Sequence, residues 1–551
     1  MLYGTQNRAE VWDQIGGPWD LIVVGGGITG AGILREGVRI GLNIALFEQG
    51  DFASGTSSRS SKLVHGGLRY LNNFQFSLTR QSVCERETLL KQGVGLVEPL
   101  PFLYPTYETD RMPSWMIAFG LYLYGLMGGK WHAHETYDPY ELRMLSPGLA
   151  GEHLTGGFRF YDAQTDDARL VLRVLREGIS ARQESDRFPA AGRAIAINYA
   201  RVEGLLHDRQ GRVRGVIVRD RVGDRTYEVY AAVVVNATGA WADRLREKAG
   251  SAPRIRPLRG SHLIFPQDRF PIYQAVSFPH PDDGRPVFAF PWEGITLLGT
   301  TDLDHDEDLD REPRISEVEI AYLLRAAQDH FPGLGLTEAD VTATFAGVRP
   351  VISSGRHVDP SKESREHALW NEEGLLTVTG GKLTTFRPIA LDALRALRSQ
   401  LPHMQPVDNH LSALDSTPPI DEPPPGLSCE QALRLAARYG LEVLEFAAQQ
   451  PQADRECVPN TPIHWLEFRW AARHECVAHL DDLLLRRVRI GLLVPDGGAA
   501  HLPRIRALVQ GELGWDDRRW QQEEDRYLDL WRSHYGSPHD LRLGEAAPAA
   551  I

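Results

Sequence analysis

The stretch "GGGITG" places Gly25, Gly27 and Gly30 in G-x-G-x-x-G spacing, directly after the apolar run "DLIVV". In such a turn the first glycine allows the tight bend, the second lets a pyrophosphate approach the backbone, and the third lets the next helix pack on the strand. The phosphates then meet the positive end of that helix. Glu48 ends the second apolar run, "NIALFE", where a carboxylate can accept a hydrogen bond from a ribose 2′-hydroxyl. The spacing therefore predicts a dinucleotide cofactor, without separating NAD from FAD.

A donor-rich stretch, "SSRSSKLVHGGLRYL", follows at residues 57–71. It combines serines, two arginines, a lysine, a histidine and a glycine pair, and it has neither the period of a half-buried strand nor that of an amphipathic helix. Taken alone, it fits a plain loop as well as a ligand-binding loop.

The elements around these motifs predict an α/β fold. Two further apolar runs, "AAVVVNATGAW" at 231–241 and "GLLTVTGG" at 374–381, end in small-residue turns, as buried parallel strands do. Together with the chain length, they favour a flavin fold assembled from distant segments. Between 256 and 302 the pattern changes to short runs separated by proline and glycine, which predicts an inserted antiparallel sheet. A proline-rich linker at 416–425 precedes a helical C-terminal region.

Composition excludes several classes of protein. The chain has 551 residues, 42% of them hydrophobic and 24% charged, which is typical of a globular protein of two or three domains. A formal net charge of −13 argues against a nucleic-acid partner. Four widely spaced cysteines without a C-x-x-C pair predict neither disulfides nor a zinc site, and they fit a reducing compartment.

We expect no signal peptide and no membrane-spanning helix, because the sequence has neither a basic-then-apolar leader nor a long enough apolar run. The apolar run that comes nearest to the required length is "WMIAFGLYLYGLM" at 115–127. We interpret it as a buried core helix, with a helix lying in a membrane interface as the alternative.

A series of motifs resembles the FAD-dependent, aerobic-type glycerol-3-phosphate dehydrogenase family, a branch of the D-amino-acid-oxidase-like flavoproteins. The matching pieces fall in order from residue 20 to 387: "DLIVVGGGITGAGI", "GTSSRSSKLVHGGLRYL", "DDARLVL", "VNATGAWAD", "LRGSHLIFP", "LLGTTD", "FAGVRP" and "TGGKLTTFR". The helical piece "FRWAARHECVAHLDDLLLRRVRIG" is also similar to the C-terminal domain of that family.

The resemblance implies a Rossmann-like FAD-binding domain built from residues 18–90, 155–250 and 340–400. Residues 91–154 and 251–339 would form a mostly antiparallel substrate domain, 401–428 the linker, and 429–540 the α-helical C-terminal domain. The implied reaction is oxidation of sn-glycerol 3-phosphate to dihydroxyacetone phosphate, with electrons passing from FAD to a membrane quinone. The implied location is cytoplasmic, peripheral on the inner face of the cell membrane, with "WMIAFGLYLYGLM" and the basic patch Arg486, Arg487 and Arg489 as docking elements. The oligomeric state stays open, a homodimer included.

The resemblance also assigns the catalytic and substrate residues. Arg349 in "FAGVRP" and Lys382 in "GGKLTT" match the active-site cations of the family, and arginine suits a phosphate because its planar fork binds bidentately. Arg365, and Tyr70 beside Arg69, are further candidates for the substrate, although Arg69 and Tyr70 could simply begin the next helix. For the base that takes the C2 hydroxyl proton we favour His262 in "RGSHLIFP", since imidazole titrates near neutrality.

His65 is the alternative base, although we expect it closer to the flavin. The cofactor residues implied by the resemblance, besides the fingerprint glycines and Glu48, are Thr56, Ser57, Ser58, Ser61, Lys62, Leu63, His65, Gly66, Gly67, Gly239, Gly381, Lys382, Leu383 and Thr384. Serines and Lys62 would donate to FAD, and the glycine pair would let the backbone pass the isoalloxazine.

Two alternatives stay open at this point. A soluble oxidase that uses O2 and produces H2O2 would share the same substrate site, and a flavin-fold binding module without activity would lack the cations and the histidine. We expect no metal: "HECVAH" has one residue too many for a zinc motif, and the acidic "DLDHDEDLD" lacks the glycine and glutamate of a calcium loop.

Overall fold

The structure, a computed structural model, describes residues 4, 7–68, 75–110, 112–129, 134–183, 187–353 and 366–546. Its strands, in chain order, are β1 (Trp19–Val24), β2 (Ile44–Phe47), β3 (Leu63–Val64), β4 (Val97–Tyr107), β5 (His134–Tyr137), β6 (Leu154–Thr165), β7 (Ala194–Ile197), β8 (Ala200–His207), β9 (Val213–Asp220), β10 (Thr226–Asn236), β11 (Ile255–Pro266), β12 (Ala275–Pro279), β13 (Pro286–Trp292), β14 (Ile295–Gly299), β15 (Leu303–Asp304), β16 (Ala343–Ile352), β17 (His367–Glu372) and β18 (Leu375–Gly380).

The helices, in chain order, are α1 (Arg8–Asp13), α2 (Ile28–Arg39), α3 (Phe76–Gln92), α4 (Ser114–Met127), α5 (Pro139–Leu145), α6 (Asp167–Ser180), α7 (Ala242–Lys248), α8 (Glu317–His330), α9 (Phe386–Ala396), α10 (Cys429–Tyr439), α11 (Glu442–Gln449), α12 (Gln452–Arg455), α13 (Trp465–His474), α14 (Ile490–Leu493), α15 (Leu502–Leu513), α16 (Asp517–His534) and α17 (Pro538–Ala546). A π-helical turn covers Asp482–Arg487, between α13 and α14.

The first sheet carries the glycine fingerprint and is parallel at its centre, in the order β18-β10-β1-β2-β7. β1 is buried on both faces, which explains its uninterrupted apolar sequence. Leu21 and Val23 pack into the core shared with helices α2, α6 and α9, whereas Ile22 and Val24 pack against the β8–β9 hairpin. The predicted α/β fold with a Rossmann-like sheet is therefore confirmed.

The second sheet is antiparallel except for the β4–β12 pair, in the order β15-β11-β14-β13-β12-β4-β6-β3, with β16 also paired to β11 and β5 to β6. It contains β3, β6 and β16, which lie in segments predicted for the FAD-binding domain. Strand pairing does not by itself divide a chain into domains, so the domain bounds, those at 155 and 340 included, stay a prediction.

The C-terminal helical unit packs on the second sheet. Phe345 of β16 shares a hydrophobic core with Trp465 of α13 and with Tyr535, which follows α16. The predicted linker at 401–428 has no helix or strand. It is nevertheless bound to the unit that contains the first sheet, because Asp415 pairs with Arg39 of α2. The linker is therefore attached to that unit at Asp415 and is not a free tether.

Two predictions about surface elements need correction. Helix α4 buries Ile117, Leu121 and Tyr124 on one face, but Trp115 is 68% exposed and Phe119 56% exposed on the other. The interpretation as a buried core helix therefore holds for one face only. A helix that is apolar all round gives no sign in its sequence of which face is covered.

The predicted basic docking patch is wrong, because Arg486, Arg487 and Arg489 are 4%, 0% and 1% exposed. Their guanidinium groups form buried ion pairs with carboxylates of the first unit. Clustered arginines in a sequence look the same whether they face solvent or buried partners. In the described part of the chain, no helix has both the length and the apolar character needed to cross a bilayer.

The close packing at the fingerprint predicts a strong effect of one methyl group. A Cβ at Gly30 would lie 1.9 Å from the carbonyl oxygen of Gly25, so Gly30→Ala must displace α2 from β1. We expect a loss of about 1–3 kcal/mol of stability, typical of overpacking, together with weaker cofactor binding. The matched control is Gly120→Ala in α4, where a Cβ would meet nothing within 4 Å.

Since alanine is the better helix former, the Gly120 variant should gain roughly 0.5–1 kcal/mol. Urea unfolding of both variants checks the pair, and equal stability of the two variants would contradict the packing argument.

Candidate active site

A cavity of about 930 Å³ lies between the two sheets. Its walls come from segments far apart in the sequence: the turn after β1, residues 47–68, the start of β8, the turn after β10, β12 and β13, the loop 300–313, β16 and residues 380–384. One end of the cavity is therefore formed by the glycine fingerprint and the other by the antiparallel sheet.

The fingerprint end is built as the dinucleotide prediction requires. Gly25 has a φ of +113°, which suits glycine, and the turn brings the amide of Gly26 within 2.7 Å of the Glu48 carboxylate. The amide of Gly50 donates to the other oxygen of Glu48 at 2.8 Å. These bonds fix the carboxylate at the cavity wall and leave it lone pairs for a hydroxyl.

The start of α2 is open to an anion. The backbone amide of Ile28 donates to the hydroxyl of Ser57 at 3.0 Å, and a Cβ at Gly27 would lie 3.1 Å from that same hydroxyl. Ser57 therefore stands over the positive end of the helix, and a Cβ at position 27 would be in tight contact with its hydroxyl.

Most of the predicted site residues line this cavity. Those found in its wall are Gly25, Gly27, Glu48, Thr56, Ser57, Ser61, Leu63, His65, Gly67, Gly239, Arg349, Gly381, Lys382, Leu383 and Thr384. Five predicted residues lie behind the wall: Gly30, Ser58, Lys62, Gly66 and His262. Tyr70 and Arg365 fall outside the residues that the structure describes.

Lys62 directs its ammonium group into the protein and not toward the cavity. Its Nζ lies 3.0 Å from Asp167 Oδ1 and 3.2 Å from the carbonyl oxygen of Ser58, over the faces of Trp292 and Phe345. Burial, with the nearby Arg489, lowers the pKa of Lys62 to about 8. The predicted contact of this lysine with FAD phosphates is thus replaced by a buried ion pair.

Arg349 reaches the cavity from β16 and is oriented by residues that the sequence analysis did not assign. Its guanidinium donates to Asp302 Oδ1 at 2.9 Å and to the hydroxyl of Thr300 at 3.0 Å. Both partners belong to the motif "LLGTTD", which was recognised only as part of the resemblance. Its acidic residue, placed after a strand, was the available signal.

Lys382 and His65 belong to two segments that contact each other at the cavity. Gly380 and Gly381 adopt φ values of +77° and +76°, which turn the chain so that Lys382 Nζ lies 2.9 Å from the hydroxyl of Ser82. Nearby, the amide of His65 donates to the hydroxyl of Thr384 at 3.1 Å. The cavity wall thus includes both Lys382 and His65, although the two residues are far apart in sequence.

His262 has a different environment. It is 1% exposed, stacks on Phe345 with ring centroids 4.5 Å apart, and places Nε2 2.9 Å from the hydroxyl of Ser61. Burial, and then the charges of Arg349 and Lys62, hold its pKa well below the ordinary value. The ring is therefore neutral near pH 7 and is separated from the cavity by Ser61.

The charge of the cavity opposes that of the whole chain. Ten arginines and lysines line it against seven aspartates and glutamates, while the chain as a whole carries −13. A concave wall with an excess of cations concentrates anions. The cavity is suited to a ligand with negative groups.

Taken together, the Rossmann-like sheet, the fingerprint turn and the large cavity between the two sheets indicate a dinucleotide-dependent oxidoreductase of the flavoprotein type. Comparison with known proteins agrees. Residues 20–387 match the family described as FAD dependent oxidoreductase, and residues 393–520 match the C-terminal domain of alpha-glycerophosphate oxidase.

Two curated relatives and one solved structure are similar over nearly the whole chain. The aerobic glycerol-3-phosphate dehydrogenase of Bacillus subtilis is 34% identical over 85% of this chain and 86% of its own length. The glycerol-3-phosphate dehydrogenase of Mycobacterium leprae is 34% identical over 93% and 88%, respectively. The structure of glycerol-3-phosphate dehydrogenase from Bacillus halodurans complexed with FAD superposes with a TM-score of 0.74, at 28% identity, over 96% of this chain and 97% of that one.

The chain therefore belongs to the FAD-dependent glycerol-3-phosphate dehydrogenase family, and its cofactor is FAD. The residues present fit that cofactor. Glu48 keeps lone pairs at the cavity wall for a ribose hydroxyl, and Gly25 and Gly27 line the cavity at the start of α2, where the helix would meet the diphosphate.

The neutral state of His262 predicts a specific dependence of stability on pH. An unfolded chain protonates this histidine below its ordinary pKa of about 6.5, whereas the folded chain does not, so stability falls as the pH falls through that value. Relative to His262→Gln, the wild type should lose about 2 kcal/mol more between pH 7 and pH 5.

Free energies of unfolding from urea titrations at both pH values test this expectation. The exposed His539→Gln serves as the control and should follow the wild type. Parallel pH profiles of the wild type and His262→Gln would show that the imidazole titrates in the folded protein.

Proposed function

We propose that this protein oxidises sn-glycerol 3-phosphate to dihydroxyacetone phosphate and passes the electrons to a membrane quinone. The observation that carries the proposal is the presence of Arg349, Lys382 and His65 in the wall of one cavity with the FAD fingerprint. The relatives named glycerol-3-phosphate dehydrogenase support the substrate.

Arg349 has the task of holding the phosphorylated substrate. A dianionic phosphate binds best to a planar fork with two parallel donors, and Asp302 and Thr300 fix the plane of this one. Lys382 adds a second positive charge in the wall of the same cavity, which would stabilise negative charge building on the substrate oxygen as its proton leaves.

His65 is the stronger candidate for the base that takes the C2 hydroxyl proton. A base must come within hydrogen-bond reach of that proton, and His65 lines the cavity whereas His262 lies behind Ser61. Bound FAD would supply the acceptor for the hydride that leaves C2. We therefore revise the preference between the two histidines on grounds of access and assign His262 to holding Ser61.

Two substitutions separate these roles. His65→Gln should lower the rate constant of flavin bleaching at saturating substrate by at least ~100-fold, the usual contribution of general base catalysis. Arg349→Lys should mainly raise the substrate concentration needed for half-maximal rate, because a point charge cannot replace the fork. Anaerobic stopped-flow absorbance of the bound flavin measures both.

In this experiment sn-glycerol 3-phosphate should bleach the wild-type flavin, and glycerol, lactate and D-alanine should not. Bleaching by glycerol at equal concentration would refute the phosphate requirement. Near-normal kinetics of His65→Gln would show that another group acts as the base.

The acceptor is proposed from the exposed face of α4. Trp115, Met116 and Phe119 are 68%, 42% and 56% exposed, and the sequence of the helix, "SWMIAFGLYLYGLM", contains no charged residue. Large apolar side chains at this density favour the interface of a bilayer, where a quinone is accessible. This observation favours the quinone-linked dehydrogenase over the soluble oxidase, and it supports a peripheral contact with the cell membrane.

The double variant Trp115→Ser/Phe119→Ser tests the acceptor. It should lose cosedimentation with lipid vesicles and transfer electrons to a vesicle-borne quinone at least ~10-fold more slowly, since two buried apolar contacts are removed. Its rate with a water-soluble dye as acceptor should equal that of the wild type. If the wild type instead releases one H2O2 per substrate without any quinone, the oxidase alternative is correct.

A further inference from the structure

The C-terminal helical unit contributes directly to the wall of the cofactor cavity. Asp481 and Arg486, from the π-helical turn and the residue before it, line the cavity together with Glu48 and Asp51. Short π-helical segments are frequently found at functional sites. We therefore expect this turn to do more than connect the two units.

The π-helical turn is bound through Asp51 to the part of the chain that carries the glycine fingerprint. Arg487 binds Asp51 through both terminal nitrogens at 2.7 Å each, and Arg486 Nε binds it at 2.6 Å. Asp51 is 1% exposed and follows Glu48 by three residues. Burial opposes its charge, but the two guanidinium groups overcome that effect and hold the pKa of Asp51 below its ordinary value.

A second set of contacts is made by Arg489, which follows the π-helical turn by two residues. Arg489 donates to the carbonyl oxygen of Ser58 at 3.0 Å and to Asp167 Oδ1 at 3.2 Å. Arg489 has a φ of +62°, in the left-handed region that non-glycine residues rarely adopt. Such a conformation persists only where the surroundings fix it, and it directs this arginine onto Ser58.

Between these two sets of contacts, the chain lines the cofactor cavity. Ser54, Gly55, Thr56 and Ser57 line the cavity, and Ser57 stands at the start of α2. Three arginines from one short stretch of the helical unit thus hold both ends of residues 51–58.

We propose that Arg486, Arg487 and Arg489 are positioning residues for the cofactor, which hold residues 51–58 in the form that retains FAD. The helical unit would then be a required part of the FAD site and not an appended domain. If these arginines only join the two units, the outcome differs. Loss of an arginine would then lower thermal stability and leave the rate of FAD release unchanged.

The experiment measures FAD release from the full-length holoenzyme by the rise of flavin fluorescence after dilution. Arg486→Gln removes one partner of Asp51 and leaves the bidentate Arg487 pair intact. We expect release at least ~10-fold faster than in the wild type, and an intermediate rate for Arg486→Lys, which keeps the charge and loses the fork. Arg489→Gln, which frees Ser58, should also release FAD faster.

The matched control is Arg473→Gln, which breaks another two-bond arginine–carboxylate pair, to Glu512, within the same helical unit and away from the cavity. It should release FAD at the wild-type rate. Wild-type release from Arg486→Lys and Arg489→Gln would overturn the proposal, even if Arg486→Gln does not fold. Because no substrate is present, this outcome is independent of the proposed reaction.

Discussion

A single buried carboxylate, Asp167, ties together the three parts of the molecule on which the site depends. Standing at the first position of α6, it accepts hydrogen bonds from the amide and hydroxyl of Ser60 at 3.0 and 2.8 Å, and from Lys62 and Arg489 at 3.0 and 3.2 Å. Ser60 and Lys62 belong to the donor-rich segment, and Arg489 to the helical unit. An unpaired charge at this depth would be strongly destabilising, so the segment, the helix and the C-terminal unit hold their positions together.

This arrangement explains why the donor-rich segment carries more donors than a cofactor needs. Its residues share two tasks. Ser57 and Ser61 line the cavity, Lys62 binds Asp167 behind the wall, and Ser60 does both. The donors that face inward fix the backbone of those that face the ligand, which reduces the ordering that binding must supply.

The features that follow from local pattern could be predicted from the sequence. The apolar run of β1, the glycine spacing and Glu48 depend on residues close together in the chain, and the structure builds them as expected. Pairings across hundreds of residues could not be predicted. An arginine run has the same sequence whether it faces lipid or a buried aspartate, and "DDARLVL" gave no sign that Asp167 would receive Lys62. The same limit applies to His262, whose motif indicated a role but not its position behind Ser61.

The burial of those arginines also changes the physical basis of the proposed membrane contact. With a net charge of −13 and its clustered arginines paired to carboxylates, the protein has little to gain from long-range attraction to anionic lipid. Binding must then come from the transfer of Trp115, Met116 and Phe119 out of water, an interaction that salt screens little. A local excess of cationic side chains instead lines the cavity, where it would act on the anionic groups of FAD and, in the proposed reaction, on the phosphate of the substrate.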